Sequence, residues 1–196
     1  MIPERTALLI VDLQNDFLHP QGAYARGGVA SDEMARLPAR IAPLARALEA
    51  RGGMLAASRF TLWPDARGEP IVTAHLRALR PFLARGDFAA GTWGHAVVDE
   101  LPRPRVAVDK VAYSAFFNTQ LEWVLRHAGV DTVAVAGIVT NGGVASTVRD
   151  AYLREFEIVV LADGCAAFRR ESHDAALADL AGIARVMRCD AFAAAL

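Results

Sequence analysis

A doubly wound α/β sandwich of three layers is the fold this sequence predicts, on three observations. Short aliphatic runs alternate with longer segments of helical spacing, as in chains that wind βαβ units around a parallel sheet. Several of those runs stop abruptly at a polar residue, which is where an open α/β sheet carries its site. No internal repeat or low-complexity linker breaks the alternation along the 196 residues, so one domain over residues 1–196 is expected.

The first run, Leu8 to Val11, is aliphatic throughout and ends at Asp12, the pattern of a strand buried on both faces. Ser31 can cap a helix whose Met34, Leu37, Ile41, Leu44 and Leu48 step along one face, and Gly52-Gly53 closes it. Met54 to Ala57 makes the second strand. The Trp63-Pro64-Asp65, Gly68 and Pro70 segment after it is a turn-rich excursion, a candidate loop on the functional face. A helix from His75 to Leu83 precedes the third strand, Val106 to Val108, which ends at Asp109-Lys110. Asn118 to His127 reads as a helix with Leu121, Val124 and Leu125 inward, and Thr132 to Ala136 as the fourth strand, closed by Gly137. A helix from Asn141 to Arg154, a strand from Ile158 to Leu161, a helix from Ser172 to Leu180 and a last strand from Arg185 to Met187 complete six strands.

Composition narrows the function classes. The chain is 54% hydrophobic, yet it holds no run of the roughly 18–20 apolar residues that a membrane-spanning helix needs. Met1 leads almost directly into the first strand without the basic start, apolar stretch and cleavage site of a secretory signal, so a cytoplasmic location is expected. A net charge of −1 gives no whole-protein electrostatic reason to bind nucleic acid or anionic membrane. Small molecules and like subunits remain the expected partners. Cys165 and Cys189 have neither CxxC spacing nor the density of a disulfide scaffold and read as reduced core thiols.

Three polar signals follow strand ends: Asp12, Lys110 and the turn Thr140-Asn141-Gly142-Gly143, which opens a helix. In a doubly wound sheet these ends converge on one crevice. A carboxylate there loses hydration while an ammonium beside it restores the charged form, so Asp12 and Lys110 are either a proton-transfer pair or a structural ion pair. The helix opening at Asn141 offers backbone N–H groups to a carbonyl oxygen or anion, and its bland reading is a flexible Gly-Gly start. Phe17, Trp93, Tyr113, Phe116 and Phe117 are either pocket walls or core. The five histidines, His19, His75, His95, His127 and His173, show no ligand spacing.

At these residues the sequence resembles the isochorismatase-like, or cysteine hydrolase, superfamily, from Thr6 to about Met187. Val11-Asp12-Leu13-Gln14-Asn15-Asp16-Phe17 is similar to the family's amino-terminal motif, whose first Asp is catalytic and whose Phe borders the pocket. Gly91-Thr92-Trp93-Gly94 resembles the segment approaching the pocket from mid-chain. Asp109-Lys110 with Tyr113-Ser114-Ala115-Phe116 resembles the stretch that supplies the catalytic Lys. Gly137 to Val144 running into Ser146 to Ala151 resembles the fourth motif, and four in the right order are specific. The resemblance implies a six-stranded parallel sheet of order 3-2-1-4-5-6, association as a homodimer or homotetramer, catalytic roles for Asp12, Lys110 and Gly143, and a substrate site at Phe17, Trp93, Tyr113, Phe116, Val139, Thr140, Asn141 and Gly142.

One departure shapes the expected chemistry. In amidohydrolase relatives the residue matching Gly143 is the cysteine that attacks a carbonyl, and this chain has no thiol there. True isochorismatases share that glycine but carry Tyr and His where this chain has Val139 and Asn141, so the Thr-Asn pair resembles the amidohydrolase branch instead. Arg59-Phe60-Thr61-Leu62-Trp63 lacks the Asp-x-His ligands of zinc-binding relatives, so neither metal nor other cofactor is expected. The expectation is a hydrolase of a small polar metabolite, vinyl ether or amide, in which Asp12 moves a proton, Lys110 tunes it and water attacks. The rival is a retired member that binds a small molecule or partner without turnover.

Overall fold

The computed structural model describes residues 1–196. Six strands, β1 (Thr6–Val11), β2 (Met54–Phe60), β3 (Val106–Lys110), β4 (Thr132–Ile138), β5 (Glu157–Ala166) and β6 (Arg185–Met187), pair in parallel throughout, in the order β3-β2-β1-β4-β5-β6. The order reverses between β1 and β4, which puts a crevice at the carboxyl ends of those two strands.

β1 is central, and every one of its residues is buried. Alternate side chains serve opposite faces, as the strand pleat dictates. Leu8 and Ile10 pack with α4 (Leu37–Glu49) and Phe192 of α9 (Cys189–Ala194). Leu9 and Val11 pack with α6 (Leu121–His127), α7 (Ala145–Leu153) and Leu180 of α8 (Arg170–Leu180). Burying each of these aliphatic side chains contributes about 1.5–3 kcal/mol before the entropy cost. That double-sided burial fixes the strand whose end carries Asp12.

The Ser31 cap holds, its Oγ accepting from the Met34 amide at 3.4 Å, but it starts a short helix, α3 (Asp32–Ala35), and α4 follows as a separate element. The helix expected over 75–83 is α5 (Ala74–Leu79), because Arg80 leaves helical geometry directly before Pro81. The helix expected from Asn118 begins at Leu121, since Asn118 has φ +53. β5 runs five residues beyond Leu161, to Ala166; a register shift between Val135 and Gly137 lets it pair on through Cys165. Cys165 is therefore a strand residue. Two short helices, α1 (Asn15–Leu18) and α2 (Ala23–Arg26), line the start of the crevice. Residues 61–105 fold back over the carboxyl ends, and Leu62, Leu83 and Phe88 make a small third core with Ala23.

Candidate active site

β1 hands its chain to Asp12, whose backbone takes φ +58, a left-handed value that Asp tolerates better than most residues. Its N–H donates to the Ser58 carbonyl on β2 at 3.1 Å, and the Ser58 hydroxyl donates to Asp12 Oδ1 at 2.9 Å. Lys110, the last residue of β3, brings Nζ to 2.6 Å from Asp12 Oδ2 and donates to the Ala112 carbonyl at 3.0 Å. Both charged side chains are almost wholly shielded from solvent, at 1% exposure for Lys110 and 7% for Asp12. Burial pushes the Asp12 carboxyl up from its ordinary value, while the Lys110 charge and the donors around it pull it back; the net direction is upward, which makes Asp12 a stronger base than an ordinary aspartate.

Opposite this pair, β4 ends in a cis peptide between Ile138 and Val139, and a π-helical turn, Thr140–Val144, opens α7 in place of the regular helix start expected at Asn141. π-Turns concentrate at functional sites because they re-aim side chains within a helix. A methyl carbon built on Gly143 would stand 3.4 Å from Asp12 Oδ2, 3.3 Å from Val11 Cγ1 and 2.9 Å from the Ile138 carbonyl oxygen. A side chain at 143 would thus crowd the Ile138 carbonyl and reach van der Waals contact with the carboxylate.

Asp12, Lys110 and Gly143 line one cavity of about 130 Å³ at the carboxyl ends of the sheet, together with Phe17, Tyr113 and Val139. The remaining wall was not foreseen: Tyr24, Phe60, Phe88, Arg80 and Phe168 close it. Asn141 and Gly142 lie outside, on a groove that shares Arg80, Tyr113, Val139 and Phe168 with the cavity. Three of the expected site residues stand elsewhere. Phe116 is buried in the core against Phe156, with ring centroids 5.8 Å apart. Trp93 is half exposed, its ring edge-on to His19. Thr140 is buried, its hydroxyl 2.8 Å from Nδ1 of His173 on α8. Ser58 was missed although it too follows an aliphatic run, because that strand was expected to end at Ala57. A larger hollow of about 400 Å³ lies at the opposite ends of the strands, around Thr132, Glu157 and Arg185, and holds no buried ionisable pair.

The residues after Asp12 brace the site. Gln14 donates to the Phe60 and His95 carbonyls and accepts from the Phe60 amide; Asn15 donates to the Trp93 carbonyl. Asp16 accepts from the amides of Ala23 and Phe88, and Gly94 packs so tightly on it that a Cβ there would fall 2.2 Å from Oδ2. His95 is buried with Nε2 2.8 Å from the Thr61 hydroxyl and 3.5 Å from Asp109 Oδ1. No three His, Cys, Asp or Glu side chains are grouped to hold a metal ion, and no helix is long and apolar enough to cross a membrane.

Known proteins share this fold. Residues 6–191 match the family model described as the Isochorismatase domain. Ureidoacrylate amidohydrolase RutB of Methylobacterium radiotolerans is 36% identical, over 91% of this chain and 74% of the relative. The protein of the same name from Methylorubrum extorquens is 34% identical, over 82% and 69%. Among solved structures, a cysteine hydrolase from Pseudomonas syringae pv. phaseolicola superposes with a TM-score of 0.83 at 28% identity, covering 98% of this chain and 92% of the other. N-carbamoylsarcosine amidase from Thermoplasma acidophilum superposes with a TM-score of 0.74 at 26% identity, over 95% and 97%.

Proposed function

The chain belongs to the isochorismatase family and is a hydrolase, and from that premise we propose that it cleaves a small amide or ureide by water attack, with Asp12 as general base and no covalent intermediate. The observation that carries this reading is the cavity that Asp12, Lys110 and Gly143 line together with no thiol among its walls. In amidohydrolase members of the family the residue matching Gly143 is the attacking cysteine; here the direction from Gly143 toward Asp12 Oδ2 carries no side chain. In this reading water in the cavity takes the place of that thiol beside Asp12. Asp12 removes its proton as the oxygen bonds to the substrate carbonyl carbon; the C–N bond then breaks, and the proton passes from Asp12 to the departing nitrogen. Lys110, at 2.6 Å, keeps Asp12 oriented and balances its charge throughout. The start of α7 supplies a positive dipole end toward the developing oxyanion. A positioned base typically contributes about 10²- to 10⁴-fold, so turnover is expected to be slow beside that of thiol-bearing relatives. The relatives named as amidohydrolases favour the amide class of substrate.

A second reading has its own observation. The upward displacement of the Asp12 carboxyl also suits an acid, which would protonate the terminal carbon of a vinyl ether before water adds to the cation. The pH profile separates the two, since a base loses rate on the acid side and an acid on the alkaline side.

The test is turnover of a panel of small amides, ureides and vinyl ethers by this protein and by its Gly143→Cys variant. Amide turnover by the parent, raised in the variant, is the expected result. The variant thiol should also react with iodoacetamide, whereas burial pushes the Cys165 and Cys189 thiols up to about 12 and leaves them inert. No turnover of any panel member by the parent, combined with a variant thiol that does not react, would overturn the proposal.

A further inference from the structure

The cavity walls set a chemical condition on whatever enters. Phe17, Phe60 and Phe88 pack on one another with ring centroids 4.5–6.2 Å apart and turn an aromatic surface to the interior. A dry cavity of roughly 150 Å³ is enough for a benzene ring, so the 130 Å³ present here admits about one small planar group. At the outer end stands Arg80. Its guanidinium lies 5.6 Å from the Tyr24 ring centroid and 5.7 Å from that of Phe168, Nε donates to the Tyr24 hydroxyl at 3.2 Å, and one Nη donates to the Leu79 carbonyl at 2.9 Å. No carboxylate lies within ion-pair distance of it, and its second Nη has no partner, unlike Arg59 and Arg26 nearby, which pair with Asp109 and Asp87. Arg80 also lines the outer groove, where a second arginine, Arg169, stands and no acidic residue does. Asp12 is the one acid on the cavity wall, at the inner end.

We propose that Arg80 is the specificity-determining residue for a carboxylate on the ligand, and that the ligand class is a small, planar, unsaturated or aromatic monocarboxylate lying along the cavity. The reasoning is electrostatic and geometric. A carboxylate cannot settle beside ionised Asp12 without like-charge repulsion, so the anionic end must face outward. A guanidinium resting against the stacked Tyr24 and Phe168 rings, and tied by Nε to the Tyr24 hydroxyl, is already oriented, loses little freedom on binding and offers a fork of N–H donors that fits a carboxylate. The aromatic interior then takes the flat apolar body and sets the far end against Asp12 and Lys110. Calling that ligand a substrate rests on the hydrolase reading above; the recognition itself does not.

The experiment compares benzoate with nitrobenzene, a neutral molecule of the same shape, by calorimetric titration of the intact protein. Benzoate should bind the parent about 10- to 100-fold more tightly, the worth of one charge-assisted contact. Arg80→Met keeps the stem that packs on the rings and should reduce the ratio to near one, with nitrobenzene affinity unchanged; Arg80→Lys should keep only part of it. Equal binding in the parent, no benzoate binding at millimolar concentration, or a preference that survives in folded Arg80→Met or Arg80→Gln would overturn the assignment. The double variant Asp12→Asn/Lys110→Met, which leaves no stranded cation at the inner end to attract a carboxylate, discriminates the two proposals. It should abolish turnover and leave the benzoate preference intact, so a protein that turns over nothing yet needs Arg80 for benzoate retains the recognition site and loses only the hydrolytic mechanism.

Discussion

Removing the charge at Asp12 tests stability and chemistry together. In Asp12→Asn the amide can still face Lys110 with its oxygen and the Ser58 hydroxyl with its nitrogen, so both contacts at 2.6 and 2.9 Å keep a hydrogen bond. What disappears is the negative charge, and Lys110, at 1% exposure, is left as an uncompensated buried cation. Breaking one side of such a pair costs about 3–5 kcal/mol. For a domain of this size, where 1 kcal/mol moves Tm by about 2–4 °C, the midpoint should fall by roughly 6–20 °C. Adding Lys110→Met removes the stranded cation and puts an apolar chain of similar reach beside Phe60, whose ring centroid is 5.6 Å from Nζ, so most of the lost stability should return. Activity should not return. Per folded molecule, both variants should lose at least about 100-fold in kcat while substrate affinity changes little. Thermal unfolding followed by circular dichroism, with kcat measured well below each midpoint, gives both quantities. If the single variant melts within about 2 °C of the parent, or the double variant melts no higher than the single, the pair is not the buried, mutually dependent unit described here. If the single variant keeps its rate per folded molecule, Asp12 is not the base.

Three further outcomes are expected. Because burial raises the Asp12 carboxyl above 3.8, kcat/KM should fall on the acid side with a midpoint above that value, and the limb should vanish in Asp12→Asn; a midpoint at or below 3.8 contradicts it. Gly137→Ala should destabilise by at least about 1–3 kcal/mol from backbone strain alone, since φ is +127 there and a Cβ would fall 2.1 Å from the Val11 carbonyl oxygen; urea unfolding at unchanged midpoint would refute it. Trp123, at 64% exposure, and Leu153, at 75%, leave large apolar surface uncovered, and sedimentation at micromolar concentration should find a homodimer or homotetramer; a monomer would refute this.

Much of the sheet was legible because its strands are buried on both faces, so runs such as Leu8 to Val11 and Val133 to Ala136 stay apolar without interruption. Ends were less legible. β5 carries the polar Asp163 and a glycine in its second half, and only pairing with β4 holds those residues extended. α1, α2 and α9 span four to six residues, too few for a helical period to register. Asp12, Lys110 and Gly143 could be found because a strand end is a position that sequence can mark. Tyr24, Arg80 and Phe168 could not, since they come together only when residues 61–105 fold back over the sheet and an outer wall forms from segments with no shared pattern. Tyr113 and Phe116 lie three residues apart in one turn-rich stretch, and only the packing of that stretch on α7, through the Thr147 hydroxyl and the Ala115 amide, sends the first to the cavity and the second to the core.

The brace formed by Gln14, Asn15 and Asp16 separates two messages written in neighbouring letters. Those three side chains tie β1 to residues 23, 60, 88, 93 and 95 and stand outside the cavity, whereas Asp12 lines it. Loss of any one of the three would open the wall without altering the Asp12–Lys110 pair, and loss of Asp12 would leave the wall standing. A descendant of this chain could therefore exchange its reaction, or abandon reaction altogether, while the seven-residue signature from Val11 to Phe17 continued to be inherited nearly whole; most of that signature records architecture, and of its two acids only Asp12 reaches the cavity.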